Sequence, residues 1–336
     1  VPPRKEPGNY QMSVKITRRK KMKSSIRKTN KQAAFTIVEL LTVMSIIVIL
    51  IGLLVPALNR VKIYAKGVRQ KAQFHSIDAA LELFSNEFDG YPESDALDPT
   101  GQSYCGAMKL CEAMMGWDLL GFHTNSVFRR DGTAPIKAAD GTTTDMFLYN
   151  PTDLAARRGP FLPLENANAF RLGDLYPPDS PGLDRFRVGG TGFPSDSPYN
   201  FVLCDVYTRQ LHNVKAGLPV LYYKANTANP LHLMDASGVE HRPSSPFDDA
   251  GNIYNFWDNQ ELLELGKPWV TGGAGTEDKQ HELANYQRFY MNTRSDKITT
   301  IAKPNRSDSY ILISAGYDGE YGTADDICNF EWKYQQ

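Results

Sequence analysis

FTIVELLTVMSIIVILIGLLVPAL, residues Phe35–Leu58, is the stretch that decides the architecture. Within it only Glu39 carries a formal charge, and it sits close to a sharp boundary with a basic segment. At the rise of an α-helix the stretch spans about 36 Å, enough to cross a hydrocarbon core. It is apolar on every side, as a membrane-spanning helix has to be.

Charge divides around this span. The 336 residues carry a formal net charge of −1. Residues 1–34, however, hold 11 Lys/Arg against one acid, Glu6, which is about +10 and leaves the remainder near −11. A basic flank beside an apolar span predicts a cytoplasmic N-terminus, a single membrane pass and an extracytoplasmic C-terminal part. The basic run lacks interleaved aromatic residues and abuts the span, so no nucleic-acid partner is expected; membrane lipid is.

An ordinary secretory signal is cut after its apolar region, following small residues. Here the small pair Ala33-Ala34 comes first, so a cut between Ala34 and Phe35 would leave the apolar helix on the mature chain. Glu39 then needs a partner, because a charged side chain near the bilayer centre costs roughly 2.5–3.5 kcal/mol on insertion scales. The α-amine freed at Phe35 would supply a cation, on this chain or a neighbour. A simple signal anchor with Glu39 at the interface is the alternative reading of the same residues.

Taken together, the basic leader, Ala34, Phe35, Glu39 as the fifth residue from Phe35 and Pro56 as the twenty-second resemble the N-terminal signature of type IV pilins and of the pseudopilins of type II secretion. The resemblance implies cleavage at Ala34/Phe35 by a prepilin peptidase and N-methylation of Phe35. It also implies that Glu39 sets subunit register in a filament, and that Pro56 kinks or loosens the helix. The implied partners are other pilin-like subunits and an inner-membrane assembly platform.

Beyond Leu58 the pattern turns amphipathic. Val61, Ala65, Val68, Ala72, Ala79 and Leu83 mark one broad face, extended by Ile77, Leu81, Phe84 and Phe88. The helix is expected to run to Asp89, where Gly90-Tyr91-Pro92 stops it, and to pack against the globular domain or neighbouring subunits. The predicted organisation is a leader (1–34), a span (35–58), an amphipathic continuation (59–90) and an extracytoplasmic domain (91–336). The fold class is α+β: a long N-terminal helix on a small antiparallel sheet, with a loop-rich insertion over about 93–308. Tyr104–Phe122 reads as a helix whose methionines fill a core. Phe201–Tyr207, Pro219–Tyr223 and Ser309–Ser314 read as strands, and Gln260–Leu265 as a helical turn or two. Gly272–Gly275 lacks the continuation of a phosphate loop.

The C-terminal segment AGYDGEYGTADDICNFEW, residues 315–332, is acidic and punctuated by glycine. Asp318, Asp325 and Asp326 would converge if it folds back, and Gly316, Gly319 and Gly322 permit the positive φ such folding needs. Calcium takes six to eight oxygen ligands in flexible geometry, which such a loop can supply; a solvated acidic hairpin is the other reading. The strand, the Gly-x-Asp-Gly and the acidic stretch ending in Asp-Ile with a nearby Trp resemble the calcium loop of the major type II pseudopilin. That resemblance implies one calcium ion held by Asp318, Asp325 and Asp326, with backbone carbonyls of Ala315 and Thr323, and with Ile327 and Trp332 pinning the loop. Asp89-Gly90-Tyr91-Pro92 resembles the same family.

Cys105, Cys111, Cys204 and Cys328 are too few for a disulfide framework. Cys105 and Cys111 are close enough in sequence for one short loop, and four buried thiols are the alternative. The six histidines are scattered without a zinc-binding spacing, and no nucleophile motif is present, so no enzyme is expected. Asp248-Asp249 with Asn252 reads as a solvated turn. The expected function is therefore mechanical: a structural subunit of a secretion pseudopilus or pilus-like filament. The alternative is a membrane-anchored binding module whose inserted region recognises a ligand.

Overall fold

The computed structural model describes residues 36–138, 140–188, 199–229, 232, 251–270, 279–298, 300–332 and 334. Ala34 and Phe35, Asp248-Asp249 and Gly272–Gly275 lie outside the described residues. In chain order the elements are α1 (Ile37–Phe88), α2 (Gly106–Met115), β1 (Phe122–His123), β2 (Thr133–Lys137), β3 (Thr143–Phe147), β4 (Arg157–Arg158), α3 (Leu164–Ala167), β5 (Ala169–Arg171), α4 (Leu172–Leu175), β6 (Phe201–Leu203), β7 (Arg209–Gln210), β8 (Lys215–Ala216), β9 (Leu221–Lys224), α5 (Gln260–Glu264), α6 (Tyr286–Thr293), β10 (Tyr310–Ser314) and β11 (Ile327–Cys328). The class is mixed helix and small antiparallel sheets, with one long apolar helix at the start.

The chain divides at Pro56 into two compact units. In the first, every residue from Thr36 to Pro56 is exposed although nearly all are apolar. Such a surface is compatible with a single membrane span. Pro56 lies within the helix. Lacking an N–H, it leaves the carbonyl of Gly52, four residues back, without its intrahelical donor. Two hydroxyls in the span bond back to the helix instead: Thr42 Oγ1 to the Glu39 carbonyl (3.0 Å) and Ser45 Oγ to that of Leu41 (2.7 Å).

In the second unit the remainder of α1 buries Gln70, Gln73, Phe74, Ile77, Ala80, Leu81 and Phe84. Val61, Ala65, Val68, Ala72, Ala79 and Leu83, expected to form part of the packed face, are all exposed. At 3.6 residues per turn they fall on the side of the helix opposite the buried set. The reason is polar. Gln73 Nε2 donates to the carbonyls of Cys204 (2.9 Å) and Asn166 (3.2 Å), and Gln70 Oε1 accepts the Val206 amide (2.9 Å). These bonds select the glutamine side, and Phe74, Ile77, Leu81 and Phe84 follow it inward, each gaining about 1.5–3 kcal/mol.

The largest sheet has the order β11-β10-β9, with β10 central and antiparallel to both neighbours. All five residues of β10 are buried, which is why it reads as an uninterrupted apolar run. β9 is Leu221–Lys224, slightly later than expected, and Cys204 and Pro219 form an isolated bridge where longer strands were predicted. The remaining pairs, β1-β4, β2-β3, β5-β6 and β7-β8, are two-stranded. The region expected as an insertion is no separate body: it supplies α2, β6 and β9 to the core.

α2 is shorter than predicted, because Gly116 stands at φ 83°, where a Cβ would meet the Gly121 carbonyl oxygen at 2.0 Å. All ten of its residues are buried. Glu112 among them accepts from Tyr104 (2.5 Å), Ser126 (2.5 Å) and Tyr149 (2.6 Å). Burial pushes its carboxyl pKa up, against the pull of those three hydroxyls. Neither oxygen of this carboxylate lacks a donor, so the network tolerates burial. We expect Glu112→Ala, which leaves buried hydroxyls unpaired, to cost about 3 kcal/mol, read as a lower urea midpoint at unchanged m-value.

Candidate functional site

The start of α1 is closed by its own side chains. Thr36 is the last residue before the helix, and its Oγ1 accepts the Glu39 amide (3.2 Å). In return Glu39 Oε2 accepts the Thr36 amide (2.9 Å) and hydroxyl (2.8 Å). This is a capping box, Thr-x-x-Glu, in which two orphan amides of a helix end are satisfied reciprocally. The expectation was that Glu39 would need a cation from elsewhere; in the structure its local partner is Thr36. The motif was in plain view in the sequence, ahead of an apolar run.

The acidic loop begins where β10 ends. The glycines expected to turn left-handed do so: Gly316, Gly319 and Gly322 have φ of 63°, 75° and 98°. At Gly316 a Cβ would lie 2.3 Å from the Asp325 carbonyl oxygen, so the two arms of the loop approach more closely there than any side chain permits. Asp325 Oδ2 accepts the amides of Tyr317 (2.7 Å) and Asp318 (3.0 Å). Asp318 Oδ1 accepts the Glu320 amide (2.8 Å). The Thr323 hydroxyl stands between the two carboxylates, 3.0 Å from Asp318 Oδ2 and 2.8 Å from Asp325 Oδ1.

Asp318 and Asp325 are thus brought together. Burial and the neighbouring Asp325 carboxylate push Asp318 up to about 6, while hydrogen bonds from Asp318, Thr323 and Tyr317 overcome burial and hold Asp325 low. Asp326 is set apart by depth: it is 6% exposed, accepts the Gly322 amide (2.7 Å), and is raised well above the usual carboxylate range by burial. The Ala315 carbonyl accepts the Gly319 amide (3.1 Å), and the Thr323 carbonyl accepts Trp332 Nε1 (2.7 Å). All the atoms gathered are oxygens, the donor chemistry of a hard cation. Among the described residues, no three His, Cys, Asp or Glu side chains are grouped so as to hold a metal.

Residues that sequence reasoning missed hold this loop in shape. Arg209 donates to the carbonyls of Asp318 (2.9 Å) and Tyr317 (2.8 Å) and stacks on Trp269, 4.1 Å from the ring centre. His281 Nδ1 accepts the Tyr321 amide (3.3 Å) and packs edge-on to that ring; burial pushes its pKa down to about 3, so it stays a neutral acceptor. Neither is near the loop in sequence, and no local pattern signals either one. Beneath the loop, Asp205 is fully buried and accepts from Ser314 Oγ (2.9 Å) and the Tyr207 amide (3.0 Å).

The Cys105–Cys111 disulfide is corrected: both thiols are free and buried, as are Cys204 and Cys328. Cys105 immediately precedes α2 and Cys111 lies inside it. Six helical residues correspond to about 9 Å of rise, beyond the reach of a disulfide. The two thiols also belong to different apolar clusters.

Compared with protein-family models, curated proteins and solved structures, the chain has no match.

Burial raises Asp205 to about 6, above the ordinary carboxylate value. The folded state therefore prefers the protonated form, and the associated stability is present below pH 4 and lost as pH climbs through 6. Asp205→Asn does not titrate. Its stability relative to the parent should rise by about 2 kcal/mol between pH 4 and pH 7, measured by denaturant unfolding at both pH values.

Proposed function

We propose that the chain is a structural subunit of a type II secretion pseudopilus or type IV pilus-like filament. In this reading it is processed by a prepilin peptidase between Ala34 and Phe35, methylated at Phe35, and drives secretion mechanically rather than by catalysis. Its partners are further subunits of the same kind, an inner-membrane assembly platform and membrane lipid. The domain then lies in the periplasm or along an extracellular filament.

The observation that carries this reading is the division of labour on α1. The span through Pro56 is apolar and exposed all round. Within the second unit, the stripe Val61, Ala65, Val68, Ala72, Ala79 and Leu83 is left exposed opposite the face that the domain covers. A solitary anchor needs the span but has no use for the stripe. A helix that must also pack on neighbouring helices needs both. Pro56, by freeing the Gly52 carbonyl, gives that helix a place to bend.

Glu39 separates the two uses of its carboxylate. Glutamine can keep the capping box but not the charge, whereas alanine loses both. If pairing with a neighbouring subunit's amine drives assembly, Glu39→Gln and Glu39→Ala should both abolish filaments, seen by electron microscopy of sheared surface material. Assembly by Glu39→Gln but not Glu39→Ala would reduce Glu39 to a helix cap.

Within the same reading the acidic loop takes one calcium ion. Asp318 and Asp325 would hold it, with the Thr323 hydroxyl between them, the Ala315 and Thr323 carbonyls alongside, and Asp326 supporting from beneath. The ion would supply positive charge that lets two adjacent carboxylates ionise together. Chelation should then lower the melting temperature by about 3–6 °C, with recovery on adding calcium. Asp318→Asn plus Asp325→Asn should abolish the response; an equal response in that variant would remove the site.

A further inference from the structure

Between Glu39 and Asp78 the chain has no acidic residue, yet Arg60, Lys62, Lys66, Arg69 and Lys71 all fall there. The five lie on α1 just past Leu58, where the apolar span ends. Arg60, Lys62, Arg69 and Lys71 are exposed; Lys66 is half-buried, its Nζ 5.8 Å from the centre of the Tyr207 ring. Among the described residues none of the five makes an ion pair. Even Glu165, which lines a small hollow together with Arg69, forms none with it. Orientation in the membrane does not explain these cations. The leader already carries about +10, which is the bias that sets orientation, and the second cluster stands on the other flank of the span.

The arrangement of the five around the helix distinguishes the kinds of partner that could offset them. At 3.6 residues per turn, Arg60 and Lys71 project from one side and Lys62 and Arg69 from the opposite side, with Val61, Ala65, Val68 and Ala72 between. A protein partner docks on one face and would gather its cations there. A layer that surrounds the helix meets cations on every side. Tyr64, 75% exposed, sits among them, and an aromatic ring with a polar tip favours the level of lipid headgroups. Along the axis Lys62 is about 6 Å and Lys66 about 12 Å beyond Leu58. The headgroup layer on each side of the hydrocarbon core is about 5–8 Å thick, and long flexible stems let cations reach back into it.

We propose that Arg60, Lys62 and Lys66, with Arg69 and Lys71 behind them, form a collar that binds anionic phospholipid headgroups of the extracytoplasmic leaflet and so sets the depth of α1 in the bilayer. Phosphate oxygens accept charge-assisted hydrogen bonds from ammonium and guanidinium groups. A net negative surface adds attraction worth about five-fold in partition for each Lys or Arg close to it, which a zwitterionic surface does not offer. The inference rests on the reading of Phe35–Leu58 as a membrane span and is independent of filament assembly.

The full chain, reconstituted at one chain per nanodisc, would be acetylated with a lysine reagent and followed residue by residue by mass spectrometry. Discs of phosphatidylcholine would be compared with discs that are about one-third phosphatidylglycerol. In the anionic discs acetylation should slow about five-fold at Lys62 and progressively less at Lys66 and Lys71, and about 0.5 M sodium chloride should relieve the effect. Lys137, exposed on β2, should react alike in both discs. Equal rates at Lys62 in the two discs overturn the collar, as does an equal slowing at Lys137. Slowing that appears only with two or more chains per disc, whatever the lipid, assigns the cations to an acidic surface of a second copy and also overturns it. Failure of the chain to enter phosphatidylcholine discs is a separate outcome, which removes the span and the collar with it.

Discussion

Beyond Leu203 the backbone running towards β7 keeps only single bonds, such as Cys204 N–H to the Asn168 carbonyl and Asp205 N–H to that of Leu218, and two glutamines of α1 hold groups between them. Gln73 covers the Cys204 carbonyl and Gln70 the Val206 amide. Unpaired, each backbone group would cost about as much as a lost buried hydrogen bond. Because both glutamines project from one side of the helix, these two bonds fix its rotation about its own axis against the domain. Everything else on α1 is arranged by that rotation: which aromatic residues reach Phe122 and Phe161, and which apolar stripe stays uncovered.

The C-terminal loop and α1 are tied to one another through β10. Tyr310 donates to Asp78 on the helix at 2.8 Å, Asn329 donates to the same oxygen at 3.3 Å, and Tyr91 packs edge-on to Tyr310. One aspartate of α1 thus meets both the first residue of β10 and the segment that follows the acidic loop. A change in loop conformation would be felt at the helix through these groups, and a rotation of the helix would be felt at the loop.

Much of the architecture could be read in advance. The apolar span, the stop at Gly90, the buried SYILIS strand and the turn at Gln260 all follow from local pattern, and each stands within a few residues of its expected place. The buried side of α1 was legible only in part: Ile77, Leu81 and Phe84 were expected on it and are buried, but apolar periodicity gives no weight to glutamine, and Gln70 and Gln73 decide the side. The short two-stranded pairs escaped for a different reason. A pair such as Phe122-His123 with Arg157-Arg158 is made by backbone groups that meet in space and carry no repeating pattern. In the acidic loop the carboxylates and glycines were visible, but Arg209 and His281 reach it from far along the chain. The supposed cysteine loop failed on helix geometry: proximity in sequence became distance along an axis.

The position of β10 at the centre of its sheet has one more consequence. Its neighbours are β9, far back in the chain, and β11, which follows it, while α2 packs on β6 and β9. A polypeptide emerging N-terminus first has synthesised β9 long before the strand that must lie along its edge. Until Tyr310–Ser314 arrives, that edge of β9 has no strand beside it. The domain therefore cannot mature piece by piece from its N-terminal end. It stays open until β10 reaches the waiting edge of β9, and β11, made after it, then covers the other edge of β10.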